Sequence, residues 1–284
     1  LTSEENTTQN MMNHATQGTY PPGSTFKLIT LLEYIRENPD TWQDFHYTCT
    51  GTYTNGDYVV NCHDGVAHGE LDIYGILGMS CNGAFDTIAQ TLNSTKWQKL
   101  AEDFGYNQSD RSQVDFPYKT SHFDIASDDS VWSRMQLAIG QGTTTVTPLL
   151  NLMMYAAIAN DGVMMTPYLV DHYLDANGNV VEQTKPKALR SVCTKAEAEL
   201  MDEFLTYVIT NGTAAAGGSQ YARVSGKTGS AQYDSTKNYH AWFCGYGTND
   251  VSEIAVCVMI EKGGAGGIVA APVAGQIFDY YFSR

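Results

Sequence analysis

The chain has 284 residues, 43% of them apolar and only 17% charged, enough to bury a substantial core as one large domain or two packed lobes. Sixteen Lys and Arg stand against 31 Asp and Glu, and the net charge of −15 repels phosphate backbones, so no nucleic acid partner is expected. Apolar runs such as Ile254 to Ile260 fall far short of the roughly 20 residues of a spanning helix, so no membrane contact by this chain itself is expected.

The opening LTSEENTTQN carries neither a Met nor a leader and reads as a cut within a longer chain. The first 20 residues are polar and without period. At Tyr20-Pro21-Pro22-Gly23-Ser24 the pattern changes: Pro and Gly set a turn, and Phe26, Ile29, Leu32 and Ile35 recur at helical spacing until Asn38-Pro39. From Phe45 to Asp72 a Gly-, Cys- and His-rich stretch reads as short strands and loops. A helix follows Ser80-Cys81-Asn82-Gly83, with Phe85, Ile88, Ala89 and Leu92 on its apolar face. Residues 105–130 are turn-rich, and Pro148 opens an apolar helix to about Asn160.

Tyr168 to Thr184 alternates around Asn177-Gly178, a hairpin signal. Thr194 to Asn211 is an amphipathic helix, with Thr194 and Glu197 spaced for a capping box. Three strands, Arg223–Gln232, His240–Gly247 and Glu253–Lys262, precede a last helix from about Ala271 to Phe282. Short links between those strands favour an antiparallel sheet over βαβ units. The expected class is α+β: an antiparallel sheet sandwiched by helices, with a helical lobe over about 30–160 and a sheet lobe over about 165–284 plus the N-terminal region.

Three motifs carry chemistry. In Ser24-Thr25-Phe26-Lys27 the hydroxyl and the amine are three residues apart and share a helix face. A serine alcohol needs a base, and Lys27 can serve only when burial or a neighbouring cation lowers its pKa. Taken singly, the motif is as well read as an N-cap serine beside an exposed lysine. Ser80-Cys81-Asn82 is, taken singly, a helix cap. Lys227-Thr228-Gly229-Ser230 lies within a strand: Lys227 and Thr228 suit a carboxylate, and Gly229 lets a substrate approach the backbone. Its blander reading is a strand with a bulge glycine.

Together and in this order, SxxK, SxN and KTG resemble the penicillin-binding protein transpeptidase domain, of class B type, in the penicillin-binding protein/β-lactamase superfamily. Ile139-Gly140-Gln141-Gly142 with Val146-Thr147-Pro148-Leu149, and His240-Ala241-Trp242-Phe243, resemble its flanking segments. The resemblance runs from about residue 10 to the end. It implies a D,D-transpeptidase of peptidoglycan synthesis and cell shape. Ser24 would attack the carbonyl between the terminal D-alanines of a stem peptide, with Lys27 as base and Ser80 relaying a proton to the leaving amine.

The resemblance further implies that Asn82 holds the substrate amide and that Lys227, Thr228 and Ser230 bind the terminal carboxylate, beside Gly229. Backbone N–H groups of Ser24 and Ser230 would form the oxyanion hole. β-Lactams would acylate Ser24, and no cofactor is needed for catalysis. The domain would be bacterial and extracytoplasmic, part of a membrane-anchored protein with wall-synthesis partners, and strands upstream of Ser24 would come from a segment outside this chain. Readings on the same scaffold are a D,D-carboxypeptidase, a serine β-lactamase, or a β-lactam sensor that acylates without turnover.

Cys49, Cys62, His63, Asp64 and His68 fall close together. Thiolate and imidazole suit structural zinc, which takes four ligands. Cys49, Cys62 and His68 are the first three, and the spacing does not choose a fourth among Asp64, His63 and Asp72. A Cys49–Cys62 disulfide, or two unrelated thiols, fits the sequence as well. Cys81 reads as an apolar filler, and Cys193, Cys244 and Cys257 read as core.

Overall fold

The computed structural model describes residues 12–110, 114–236 and 238–284, so the opening decapeptide lies outside the described residues. The short helix α1 (His14–Gln17) precedes a 3₁₀ turn, Gly23–Phe26, which runs directly into α2 (Lys27–Glu37). The helix expected to start at Ser24 therefore begins as a tighter turn, and Asn38 caps its end as the Asn-Pro signal implies. Leu28, Ile29, Leu31, Leu32 and Ile35 are buried on different sides of α2, which makes it a central helix.

Next come the small antiparallel pairs β1 (His46–Cys49) with β4 (Gly69–Asp72) and β2 (Thr52–Asn55) with β3 (Tyr58–Asn61). Helices α3 (Ile73–Gly78), α4 (Asn82–Ala89), α5 (Ser94–Asp103), α6 (Val131–Ala138) and α7 (Pro148–Ala159) complete this half of the chain. α4 ends before Leu92, which is buried all the same. The Thr147 hydroxyl accepts from Leu150 N–H, and Pro148 stands in the first turn of α7, where its missing N–H costs nothing.

Beyond it lie the pairs β5 (Val163–Met165) with β8 (Ala188–Ser191) and β6 (His172–Leu174) with β7 (Val180–Gln183), the second of these being the expected hairpin. α8 (Lys195–Asn211) starts in the anticipated capping box, the Thr194 and Glu197 side chains each bonding the other's backbone N–H. The principal sheet has the order β11-β10-β9, all antiparallel, from β9 (Arg223–Gln232), β10 (Tyr239–Thr248) and β11 (Glu253–Ile260). Among the described residues no strand pairs with the outer edge of β11.

The last helix, α9 (Gly266–Phe282), begins five residues before the expected start. Glycine's poor helix propensity hides its first turn, but docking on the sheet overrides it, and Gly266 N–H donates to Ser230 Oγ at 3.0 Å. Alternation along β10 places the helices on both faces. Phe243 meets Phe278 of α9, ring centroids 6.2 Å apart, while its neighbour Cys244 points to the side of Tyr155 in α7. The expected helix-covered antiparallel sheet is thus present. At the centre, Phe26 stacks on Phe123 with centroids 4.8 Å apart, and Trp97 and Tyr106 close around them, all fully buried. Burial of the Phe26 ring contributes about 2–3 kcal/mol and anchors the turn that carries Ser24.

Candidate active site

Ser24 stands half-buried in the 3₁₀ turn, and Lys27 opens α2 with its backbone N–H bonded to Ser24 O. The Lys27 amine is directed to the residues around Ser80, and the tie between Ser24 and Lys27 is this backbone bond. The turn is held from three sides. Thr25 Oγ1 donates to Pro22 O and accepts from Asn151 Nδ2, while Tyr155 OH donates to Thr25 O at 2.9 Å. Trp242 Nε1 donates to Pro21 O at 3.1 Å. Gly140 O accepts from Gly23 N–H at 2.9 Å, and Gly140 is at φ +69°, where a Cβ would lie 2.3 Å from Gly23 O. The segment around Ile139–Gly142 is therefore a seat for the Ser24 turn.

Lys27 is wholly buried, and its Nζ donates to Ser80 O at 2.8 Å, Asn82 Oδ1 at 2.7 Å and Ser80 Oγ at 3.3 Å. Burial pushes its pKa down to about 8, against the attraction of Cys81, Cys62 and Asp86, which raises it. Ser80 adopts φ +54°, ending α3 in the left-handed conformation that usually falls to glycine, and the chain turns sharply into α4. That turn aims the Ser80 carbonyl and hydroxyl back at Lys27 and sets Asn82 in the first turn of the next helix. Asn82 Nδ2 donates to Asn61 O at 2.8 Å, which fixes its amide orientation.

Lys227 approaches from the sheet side, its Nζ 2.9 Å from Ser80 Oγ and 3.0 Å from Thr228 O. Burial drives its pKa well below the usual lysine range, and the nearby Lys27 adds to the shift. The Thr228 hydroxyl lies 3.0 Å from that of Thr213, just after α8. Because Ser230 Oγ accepts from Gly266 N–H, its own proton remains to be donated. At Gly229 a Cβ would lie 2.9 Å from Pro22 O, so the lack of a side chain there admits the close approach of the Ser24 turn.

Cys49, Cys62 and His68 come together as the sequence suggests, and the fourth member is Cys81, all four ligand atoms lying within 4.8 Å of one another. Cys49 Sγ is 3.6 Å from Cys62 Sγ and 3.3 Å from His68 Nδ1, and Cys62 Sγ is 3.8 Å from Cys81 Sγ. The other proposed fourth ligands are elsewhere: Asp64 is exposed beside His63, and Asp72 caps α3 by accepting from Gly75 N–H. Cys81 is thus buried, as read, and its sulfur lies beside that of Cys62. The Cys62 thiol is pushed down by the hydrogen bond from Cys81 and by backbone N–H groups of Gly83 and Asn82, against its burial.

Lys27, Ser80, Asn82 and Lys227 are therefore joined in one hydrogen-bonded group, with the Ser24 turn leading directly into Lys27. Sequence reading missed Asn151, Tyr155 and Thr213, whose partners are backbone atoms and hydroxyls far along the chain. It also missed Asp86, one turn beyond Asn82 on α4, fully buried with neither carboxylate oxygen bonded. The central position of Cys81 in the SxN triplet was the one available signal for the fourth member of the cluster.

The family model described as "Penicillin binding protein transpeptidase domain" matches residues 2–279. The chain is 27% identical to the peptidoglycan D,D-transpeptidase MrdA of Acinetobacter baumannii over 98% of its own length and 44% of that protein. It is 28% identical to stage V sporulation protein D of Bacillus subtilis over 91% of its length and 41% of that protein. The chain thus spans less than half of either relative. Among solved structures it is similar to the D,D-transpeptidase domain of a peptidoglycan glycosyltransferase from Eggerthella lenta, with TM-score 0.83 and 28% identity, covering 94% of this chain and 66% of that one.

Proposed function

Since the chain belongs to the penicillin-binding protein transpeptidase domain family, we propose that it is a serine D,D-transpeptidase that cross-links peptidoglycan stem peptides and is a target of β-lactams. The observation that carries this reading is the convergence of Lys27 and Lys227 on the Ser80 hydroxyl beside the Ser24 turn. Lys27, neutral above about pH 8, takes the Ser24 proton as Ser24 attacks the D-Ala-D-Ala carbonyl. Ser80 hands a proton to the departing D-Ala amine, and Asn82 receives the substrate amide. Lys227, Thr228 and Ser230 hold the terminal carboxylate, whose arrival restores the charge that burial disfavours on Lys227. An amine from a second stem then resolves the acyl-enzyme.

The test is intact mass after incubation with a penicillin, with Ser24→Ala as control. A stable adduct absent from the variant supports the acyl-serine reading, and turnover of a D-Ala-D-Ala thioester separates an enzyme from a sensor. A rapidly lost adduct moves the reading to a β-lactamase. Absence of an adduct in folded protein sinks the acyl-serine reading.

The same reading places the domain outside the cytoplasm, carried by a longer membrane-anchored protein and working beside other wall-synthesis proteins. Among the described residues no helix is long and apolar enough to cross a membrane. It also includes a structural zinc on Cys49, Cys62, His68 and Cys81, with no part in the chemistry at Ser24. Tetrahedral zinc with metal–sulfur bonds of about 2.3 Å separates its sulfurs by about 3.8 Å. The Cys49–Cys62 and Cys62–Cys81 distances of 3.6 and 3.8 Å fit that spacing. A native mass spectrum with an excess of one zinc supports it, whereas a metal-free mass with Cys49 and Cys62 disulfide-linked removes it.

A further inference from the structure

Cys244 and Cys257 stand directly opposite each other on the adjacent antiparallel strands β10 and β11. Residues so paired present their side chains on one face, with Cα atoms about 4.5–5.5 Å apart, inside the span that a disulfide bridges. Their sulfurs are 3.2 Å apart. The row continues on the other side, where Lys227 is the partner of Cys244 in β9. Lys227, Cys244 and Cys257 thus form one line across the sheet. Among the described residues no third metal-binding side chain joins the two thiols, which sets them apart from the cluster at Cys49.

We propose that Cys244 and Cys257 form a disulfide on meeting a disulfide oxidant, clamping β11 to β10 in line with Lys227. Cys257 is the more accessible of the two, and burial raises the Cys244 thiol well above the usual range, so Cys257 reacts first. Its thiolate attacks one sulfur of the oxidant, and a mixed disulfide forms as the oxidant's S–S bond breaks and its first thiolate leaves. Cys244 then gives up its proton and attacks the Cys257 sulfur, which releases the second oxidant thiolate. In total the two cysteines lose two electrons and two protons, and the oxidant becomes two thiols. The clamp lies on the strand whose outer edge is unpaired among the described residues, where fraying of the sheet costs least.

The experiment uses oxidised glutathione on the whole chain, alkylation in denaturant, and digestion. No Lys or Arg lies between the two cysteines, but Glu253 does, so trypsin with a glutamyl endopeptidase separates their fragments. The expected result is the two fragments joined, unalkylated, and separated by reduction. Oxidised protein should melt about 5 °C or more above its reduced form, and Cys257→Ser, which leaves the Cys49 cluster intact, should abolish the gain. Any of three outcomes overturns the proposal: both cysteines alkylated after oxidation, glutathione left on Cys257 without closure, or a link with no change in melting.

Discussion

Lys27 and Lys227 converge on one oxygen: the Ser80 hydroxyl lies 3.3 Å from Nζ of the first and 2.9 Å from Nζ of the second. Both amines are buried, and two ammonium ions that close in a site of low dielectric repel strongly. The arrangement therefore favours one charge over two. A hydroxyl between an amine and an ammonium can accept from one and donate to the other, which is what a proton relay requires.

Lys27 as the proposed base gives the acylation rate a definite pH dependence. Burial lowers its pKa to about 8, so the neutral form grows as pH rises through that value. Second-order acylation by a penicillin should fall about tenfold for each pH unit below 8 and level off above it. Lys27→Ala should reduce acylation by about 10²–10⁴-fold and remove this limb of the profile. A flat profile in the wild type would show that Lys27 is not the base.

Ser80→Ala removes only the shared hydroxyl, because the carbonyl that accepts from Lys27 is backbone. Acylation should drop by about 10²-fold, while the melting temperature changes little. Ser80→Gly should relieve the φ +54° backbone and melt slightly higher than Ser80→Ala, yet acylate no faster. Recovery of activity in the glycine variant would mean that the turn matters and the hydroxyl does not.

Much of this site could be read from the chain because each motif is local. Ser24 and Lys27 are three residues apart, Ser80 and Asn82 flank one cysteine, and the strand around Lys227 has the expected bounds, Arg223–Gln232, though it is buried almost continuously rather than in alternation. The supports could not be read so. Asn151 reaches Thr25 across 126 residues, and nothing in an apolar helix marks one asparagine as the brace of a distant turn. α3 and α5 escaped for a different reason: α3 has six residues, and α5 is polar enough to resemble a loop. The proximity of Cys81 to Cys49 and Cys62 could not be read either, because those residues lie 32 and 19 positions before it in the chain.

Asp86 should make stability fall with pH. Burial raises its pKa well above the usual carboxylate value, against the pull of Lys27. A carboxyl whose pKa is raised on folding costs nothing while both states are protonated and destabilises progressively as pH climbs from about 3.8 towards the folded value. Asp86→Asn stays neutral throughout. The melting temperature of the wild type should therefore decline relative to this variant between pH 4 and pH 8. Parallel curves would place a compensating partner on the carboxylate.

Chelation tests whether the Cys49 cluster holds the proposed zinc and positions the Ser80 turn. Cys81 lies between Ser80 and Asn82, whereas Cys49, Cys62 and His68 come from the β1–β4 region. A metal on all four would tie that region to the SxN turn, so its loss should loosen two groups that Lys27 contacts. Removing zinc with a strong chelator should lower the melting temperature by about 5 °C or more, and re-addition should restore it. His68→Ala touches none of Ser24, Lys27, Ser80 and Lys227, yet it should lower zinc content, melting temperature and penicillin acylation together. Normal acylation with reduced melting would confine the cluster to stability. Full zinc content in His68→Ala would exclude that imidazole as a ligand.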